Sequence, residues 1–205
     1  REVENFERKN LPIILVGHRN HPEVIGTMGQ THKKIHLVEK IEDVKKLPFD
    51  QNANVAYVTQ TTLSVDDTKD IIDAIKSRFT NVKEPNKNDI CYATTNRQKA
   101  VKEIAAKCDY FLVIGSPNSS NSLRLVEVAE NYGAKNCILI ENINEVETSF
   151  FNNAISIGIT ASASAPEILV ENLINKLSKK FDLNIIESSF EKEDIHFKIP
   201  QKLKE

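Results

Sequence analysis

A carboxylate and two imidazoles lie close together in the segment 18–23. His18, His21 and Glu23 follow a short apolar run, at a point where the pattern predicts that a strand gives way to a helix. Because His21 and Glu23 stand two residues apart, both side chains could face one pocket, the imidazole donating to an anion and the carboxyl group supplying a proton. Two alternatives stay open: a histidine that caps local backbone, and a metal site, although the spacing matches no standard zinc pattern.

The three cysteines differ in their surroundings. Cys91 is placed at the end of a predicted strand and just before a helix, where the helix dipole stabilises a thiolate. Cys108 and Cys137 fall in helical or apolar runs, where a free cysteine is usually a small buried hydrophobe. Cys91 is therefore the candidate reactive cysteine. Three cysteines at wide spacing also indicate a reducing compartment rather than a disulfide framework.

Two loops rich in hydroxyl and amide groups are candidates for anion binding. The loops 116–122 and 161–165 each follow a predicted strand and lead into a helix, whose first N–H groups and macrodipole accept an anion. Their side chains add donors from two directions, which suits the several oxygens of a diphosphate: Ser119, Ser120, Asn121 and Ser164. The alternative is that serine and asparagine simply fill turns and helix caps, as they often do.

Short β-branched runs alternate with helical stretches along most of the chain. The predicted strands are 11–16, 55–58, 89–92, 110–114, 137–140 and 156–160. The predicted helices are 68–78, 98–107, 123–132 and a long one beginning at Pro166, and the pair Ser64 and Asp67 marks a helix start. This alternation predicts an α/β fold with parallel sheets flanked by helices and with the loops gathered at the carboxyl ends of the strands.

The polar stretch 81–88 contains Pro85 and has no periodicity, so it is the predicted domain boundary. One α/β domain is expected at 1–87, a second at 88–180, and an extended tail packed on a surface at 181–205. The charged N-terminus lacks the apolar core of a signal peptide and is predicted to be the interior of a helix, so the chain is expected to start partway through a protein.

Composition argues against two classes of partner. With 40% hydrophobic and 27% charged residues, the chain has the composition of an ordinary globular protein. A net charge of −2 with both signs interspersed provides no basic stripe for nucleic acid. No apolar run approaches the roughly 20 residues that cross a bilayer. Neither nucleic acid nor a membrane is therefore expected as a partner.

Five segments, in this order, resemble signatures of one family, the 4-hydroxy-3-methylbut-2-enyl diphosphate reductases. They are 17–30 (GHRNHPEVIGTMGQ), 59–68 (TQTTLSVDDT), 89–98 (DICYATTNRQ), 115–122 (GSPNSSNS) and 160–166 (TASASAP). The resemblance extends from the first strand through the long helix at Pro166, and only the tail carries no signature.

The resemblance implies that this chain holds two of three similar α/β domains, which surround a [4Fe–4S] cluster held by three cysteines. One iron then stays open, and the substrate's allylic hydroxyl is implied to bind it. Two electrons arrive through the cluster, and protonation expels water to give isopentenyl and dimethylallyl diphosphates. A ferredoxin or flavodoxin is the implied electron donor. The implied location is the cytoplasm of a bacterial-type cell, or a plastid.

Roles follow from the resemblance at the matching positions. Cys91 is implied to be a cluster ligand, Glu23 the acid that delivers protons, and Thr61 the relay beside the substrate hydroxyl. The residues implied to hold the diphosphate agree with the anion site inferred above: His21, Ser119, Ser120, Asn121 and Ser164.

Two departures from the family pattern bear on these roles. Ser162 stands where the family usually has glycine, a change expected to crowd the backbone. The segment that should carry the other two cluster cysteines and two substrate-binding histidines would precede Arg1, and Cys108 and Cys137 match neither ligand. The chain alone is therefore expected to be inactive. The alternative is a non-catalytic α/β module for a phosphorylated metabolite, which would have no use for Glu23, Thr61 and Cys91 together.

Overall fold

The computed structural model describes residues 2–31, 33, 35–85 and 90–187. Its strands are β1 (Ile13–Val16), β2 (Ile35–Val38), β3 (Asn54–Thr59), β4 (Asn81–Lys83), β5 (Tyr110–Ile114), β6 (Cys137–Ile140) and β7 (Ile157–Ala161). Its α-helices are α1 (Glu2–Arg8), α2 (Pro22–Met28), α3 (Ile41–Val44), α4 (Val65–Arg78), α5 (Tyr92–Ile104), α6 (Ser120–Asn131) and α7 (Glu167–Ser178). Within the described ranges, no helix has the length and apolarity needed to cross a membrane.

The strands form two parallel sheets. The first has the order β2-β1-β3-β4, and every residue of β1 is buried because helices cover both faces of the sheet. One face packs Ile13 and Leu15 against Val24 of α2 together with Val3 and Phe6 of α1. The opposite face packs the alternate residues of β1 against helices α3 and α4.

The second sheet has the order β6-β5-β7, again parallel. One face packs Phe111 against Val101 of α5 and Leu125 of α6, whereas the other packs Leu112 against Leu173 of α7. In each sheet the first strand along the chain, β1 or β5, is flanked on both sides by later strands. Loops that leave such a pair of neighbours in opposite directions open a crevice at the carboxyl edge.

The predicted α/β class with parallel sheets is confirmed, and most strand predictions are close. Two strands have the predicted bounds, 110–114 and 137–140. Helix α4 starts where the capping signal predicts, because the Ser64 hydroxyl accepts a hydrogen bond from the Asp67 N–H at 3.2 Å. Past α7, Phe181 and Leu183 pack against the second sheet's apolar cluster, and the tail prediction for 188–205 lies outside the described residues.

The predicted strand at 89–92 is wrong over its described part. Cys91 is the N-cap of α5, which begins at Tyr92 and takes in the predicted loop 93–97. The β-prone residues there mislead because the buried positions follow a helical spacing instead: Thr94, Gln98, Val101 and Ala105. Residue 89 lies outside the described ranges.

Two strands of the structure were not predicted from the sequence. β2 and β4 are edge strands. β4 carries little apolar sequence, which an edge strand tolerates, whereas in β2 His36 interrupts the apolar run. β4 occupies the start of the stretch 81–88, so that part of the predicted boundary is a strand of the first sheet. The division at 87/88 itself stays a prediction, because residues 86–89 lie outside the described ranges.

Candidate functional site

Glu23 and Thr61 form a closely bonded pair at the carboxyl edge of the first sheet. Glu23 is in the first turn of α2, and Thr61 follows β3. The Thr61 N–H donates to both carboxylate oxygens of Glu23, at 3.0 and 3.2 Å. The Thr61 hydroxyl donates to Oε2 of Glu23 at 3.0 Å. Both residues are half-buried, so the carboxylate is held in one orientation while the site stays open to solvent.

His21 links the two sheets. It is the N-cap of α2, where its Nδ1 accepts the Glu23 N–H at 3.2 Å, so the capping alternative holds for this residue. With Nδ1 accepting, the proton of the neutral imidazole lies on Nε2. Nε2 stands 2.6 Å from the hydroxyl oxygen of Ser120, the first residue of α6. The imidazole therefore does both things, capping its own helix and reaching the second sheet.

Cys91 lies beside the same threonine. Its thiol is exposed at the start of α5, and its backbone N–H donates to the Thr61 carbonyl oxygen at 3.3 Å. Thr61 thus contacts Glu23 through its N–H and hydroxyl and Cys91 through its carbonyl.

The start of α6 presents a row of polar side chains. Ser119 is the N-cap, and its hydroxyl oxygen accepts the Ser122 N–H at 3.4 Å, so the capping alternative also holds here. The side chains of Asn121 and Ser122 are buried, and within the described part of the chain no partner reaches Asn121 Oδ1 or Ser122 Oγ. The N–H groups of a first helical turn lack intrahelical acceptors, so they add further donors at this point.

The loop after β7 meets α6 through Ser162 rather than Ser164. Ser162 is buried, and its hydroxyl oxygen lies 3.2 Å from Nδ2 of Asn121, whereas Ser164 is exposed two residues further on. The expected crowding at Ser162 falls on Gly115 instead. A Cβ there would overlap the Ser122 hydroxyl and come within 3.1 Å of the Ser162 Cβ, so only glycine fits.

Two buried glutamines that sequence reasoning missed support these loops. Gln60 accepts the His18 N–H at 3.0 Å and donates to the Thr62 hydroxyl at 3.0 Å. Gln98, on α5, accepts the Val65 N–H at 3.0 Å and donates to the Leu63 carbonyl at 2.9 Å. The available signal was a glutamine in an otherwise buried position: directly after an apolar strand, or on the inner face of a helix.

Two arginines were also missed. Arg97 donates from Nε to the Ala161 carbonyl at 3.1 Å, which joins α5 to the end of β7. Arg124 of α6 lies 3.2 Å from Nε2 of His18 and 3.6 Å from an Asp67 carboxylate oxygen. His18 is therefore directed to Arg124, away from the pair formed by Glu23 and Thr61.

The other two thiols are poorly suited to bind a metal. Burial, with the nearby Asp109 charge, raises the pKa of the Cys108 thiol. Burial raises the pKa of Cys137 to about 11, with a smaller contribution from Glu130. Both side chains pack against the apolar cluster of the second sheet, as expected for small hydrophobes, but they are only partly buried. Over the described ranges no three histidine, cysteine or acidic residues converge as a metal site. Of the three thiols, that of Cys91 is the exposed one.

A separate cavity of about 270 Å³ lies beside this site rather than in it. It opens between the start of α4 and the loops after β1 and β2, and its polar lining includes His18, Ser64 and Arg124. Glu23, Thr61 and Cys91 are not among its lining residues. The polar cluster therefore lies outside this cavity, at the carboxyl ends of the strands.

The fold and the site define a parallel α/β protein whose two sheets meet at a cluster of acid, hydroxyl, thiol and amide groups. The family model described as LytB protein matches residues 1–178, and the chain belongs to this family. The family resemblance seen in the five sequence segments is thereby confirmed.

Similar proteins carry one name. The chain is 47% identical over 205 residues to the 4-hydroxy-3-methylbut-2-enyl diphosphate reductase of Methylocella silvestris, covering 100% of this chain and 64% of that protein. It is 48% identical over 207 residues to the reductase of that name from Acinetobacter baumannii, covering 99% and 65%. The chain thus spans about 64% of the length of the curated relatives it matches.

Solved structures agree with this likeness. The E-1-hydroxy-2-methyl-but-2-enyl-4-diphosphate reductase of Plasmodium falciparum superimposes with a TM-score of 0.87 at 35% sequence identity, covering 98% of this chain and 63% of that one. A second structure, of (E)-4-hydroxy-3-methyl-but-2-enyl diphosphate reductase, matches with a TM-score of 0.50 at 32% identity, covering 87% and 63%.

Proposed function

We propose that this chain is the larger part of a 4-hydroxy-3-methylbut-2-enyl diphosphate reductase, an oxidoreductase of isoprenoid biosynthesis. The reaction removes the allylic hydroxyl reductively and yields isopentenyl and dimethylallyl diphosphates. The observation that carries the proposal is the position of Thr61, which contacts both the carboxylate of Glu23 and the backbone of Cys91. A binding module has no need for an acid, a hydroxyl and an exposed thiol in one cluster.

Glu23 and Thr61 move a proton to the leaving oxygen in this proposal. Overall the substrate gains two electrons and two protons and loses its hydroxyl group as water. Protonated Glu23 gives its proton to the Thr61 hydroxyl oxygen, 3.0 Å away, while the Thr61 hydroxyl gives its own proton to the departing group. The Thr61 N–H then stabilises the carboxylate that remains, because it lies within 3.2 Å of both of its oxygens.

The diphosphate is proposed to bind between α2, the start of α6 and the loop after β7. His21 donates from Nε2, and the first-turn N–H groups of α6 add backbone donors. The remaining donors are the side chains of Ser119, Ser120, Asn121 and Ser164. The buried Oδ1 of Asn121, which no described residue reaches, supports this placement, because turning the amide over would bring Nδ2 and its N–H donors to that position.

Cys91 is proposed to be one ligand of a [4Fe–4S] cluster. When bound, such a cluster supplies electrons and an open, Lewis-acidic iron. The exposed thiol of Cys91 at a helix start fits a ligand, whereas the partly buried thiols of Cys108 and Cys137, whose pKa values are raised, do not. Two further thiolates must come from outside residues 1–205. A ferredoxin or flavodoxin in a reducing, cytoplasmic compartment is the proposed electron donor.

The substitution Glu23→Gln in the full-length protein tests the acid role. The amide keeps the shape and the hydrogen bond from Thr61 N–H but cannot release a proton, so turnover with a strong reductant should fall about 10²–10⁴-fold. Cluster content and diphosphate affinity should stay near those of the unsubstituted protein. Glu39→Gln is the matched control, because that carboxylate follows β2, accepts the Arg19 N–H at 2.8 Å and forms an ion pair with the Arg19 side chain at 3.7 Å.

Near-normal reductase activity of the Glu23→Gln variant would contradict the proposed acid. If the unsubstituted protein bound diphosphate tightly but never turned over with cluster and reductant supplied, the non-catalytic binding module would be the better description.

A further inference from the structure

We propose that Ser162 is a positioning residue, whose hydroxyl sets the direction in which the Asn121 amide faces the diphosphate. This inference rests on the proposed function, because it concerns the anion assigned to the start of α6. Ser162 itself is only 2% exposed and is not expected to touch the ligand.

Ser162 is held firmly by its backbone. Its N–H donates to the Ile114 carbonyl at 2.8 Å, which extends the pairing of β7 with β5 by one residue. Its carbonyl accepts the Ala165 N–H at 2.9 Å and closes the turn that follows. Its Cβ lies against Gly115, where no side chain would fit. The backbone therefore fixes the position of the Ser162 Cβ. Among the described residues, the hydrogen-bond partner of its hydroxyl is the Asn121 amide, at 3.2 Å.

The Asn121 amide is anchored at one end only. Asn121 is the second residue of α6 and is 7% exposed. Nδ2 lies against Ser162, while Oδ1 is buried without a partner among the described residues. A buried carbonyl oxygen without a hydrogen-bond partner is energetically unfavourable. The structure therefore points to a ligand that binds at the unpartnered end of the Asn121 amide.

The chemistry of a hydroxyl makes Ser162 suitable for this anchoring. A serine hydroxyl both accepts and donates, so it can hold the amide by its NH₂ group or, after the amide turns over, by its carbonyl oxygen. In the second arrangement both N–H donors of Asn121 occupy the end that now lacks a partner, which is the arrangement an anion requires. Alanine or glycine at position 162 can hold neither arrangement.

A double-mutant cycle in the full-length protein tests the assignment. Ser162→Ala should raise the Kd for inorganic diphosphate, measured by calorimetry, about 3- to 10-fold, as expected for one hydrogen bond. In an Asn121→Ala background the same change should add nothing. With substrate, KM should rise by the same factor while kcat stays constant. Ser178→Ala is the control, because its hydroxyl contacts only the Asn175 carbonyl on α7.

Ser162→Gly removes the whole side chain and so excludes a packing effect of the Cβ that Ser162→Ala retains; it should lose the same affinity as Ser162→Ala. Full affinity in either variant, or an equal loss with and without Asn121, would overturn the role of Ser162 and leave the anion site standing. A complete lack of diphosphate binding by the unsubstituted protein would overturn the anion site, and this inference with it.

Discussion

The site has two halves that satisfy their polar groups differently. The acid half, formed by Glu23 and Thr61, is closed on itself by hydrogen bonds between these two residues. The hydroxyl half, formed by Ser119–Ser122 and Ser162–Ser164, retains buried oxygen atoms on Asn121 and Ser122 that no described residue meets. A group already bonded in the protein is preorganised to transfer a proton, whereas an unanswered group gains most when a ligand arrives. Changes in the first half should therefore lower rate, and changes in the second should lower affinity.

The largest effect is expected at Cys91, which borders the acid half. Cys91→Ser in the full-length protein should abolish the cluster after anaerobic reconstitution, because the exposed thiol is lost. Cys108→Ala and Cys137→Ala are the controls and should keep it, since both thiols are partly buried in an apolar cluster and their pKa values are raised. Iron counting and visible absorbance measure the outcome. A full cluster in Cys91→Ser would remove Cys91 from the ligand set.

Next in size is the hydroxyl half. Ser119→Ala and Asn121→Ala should each weaken diphosphate binding by about 1.5–3 kcal/mol, the contribution of a hydrogen bond to a charged group. Turnover at saturating substrate should change much less, because these donors act far from the bond that breaks. Calorimetry with inorganic diphosphate gives the affinities. Unchanged affinity in both variants would mean that the anion binds elsewhere, and it would contradict the assignment of affinity to the hydroxyl half.

A smaller effect is expected at Gln98, which holds α5 to the loop before α4. Gln98→Leu leaves the Val65 N–H and the Leu63 carbonyl without their partner, at a cost of about 1–3 kcal/mol of unfolding free energy for each buried group that water cannot reach. Gln51→Leu on the surface is the control and should stay within about 0.5 kcal/mol. Urea unfolding measures both. Equal stability of the two variants would mean that Gln98 does not hold α5 to the loop.

The smallest effect is expected at Asp66, which joins helix α4 to α5 and α6. Lys102 donates to its carboxylate at 2.6 Å and Tyr132 at 2.7 Å, and these bonds lower the pKa of Asp66 below its ordinary 3.8. A lowered folded pKa gives stability that is complete above 3.8 and is lost as pH falls through the folded value. Because the carboxylate is half-exposed, Asp66→Asn should cost less than about 1 kcal/mol at neutral pH.

Urea unfolding of the Asp66→Asn variant at pH 7 and at successively lower pH checks this sign. The difference from the unsubstituted protein should shrink in acid. A difference that grows in acid would mean that the carboxylate is not stabilised by its neighbours.

Sequence patterns predict continuous apolar strands better than interrupted or polar ones. β5 and β6 have the predicted bounds because each is a continuous apolar run, although β6 is an edge strand. β2 was missed because His36 interrupts its apolar run, and β4 because it is short and polar; both are stabilised by pairing with a neighbouring strand, which no local pattern records. The N-terminal start of α5 was misplaced for a similar reason, since packing on the second sheet overrides the β-prone residues near Cys91.

The candidate site divides in the same way. The grouping of His21 and Glu23 could be predicted from spacing, because both belong to one helix start. Gln98 and Ser162 could not, because their partners lie 35 and 41 residues away along the chain. Buried amides and hydroxyls of this kind are recognised only once the fold shows what they contact.

The short hydrogen bond between His21 and Ser120 has a consequence for which ligands can occupy the crevice. An incoming molecule that binds the Ser120 hydroxyl or the imidazole N–H must compete with the existing contact of 2.6 Å between these two groups. Ligand binding then replaces the hydrogen bond between His21 and Ser120 with a hydrogen bond to the ligand. The net binding free energy from this contact is the difference between the two. A neutral alcohol or amide offers a bond of about the same strength and gains little. A multiply charged anion offers stronger, charge-assisted bonds, so this one contact acts as a filter against uncharged metabolites.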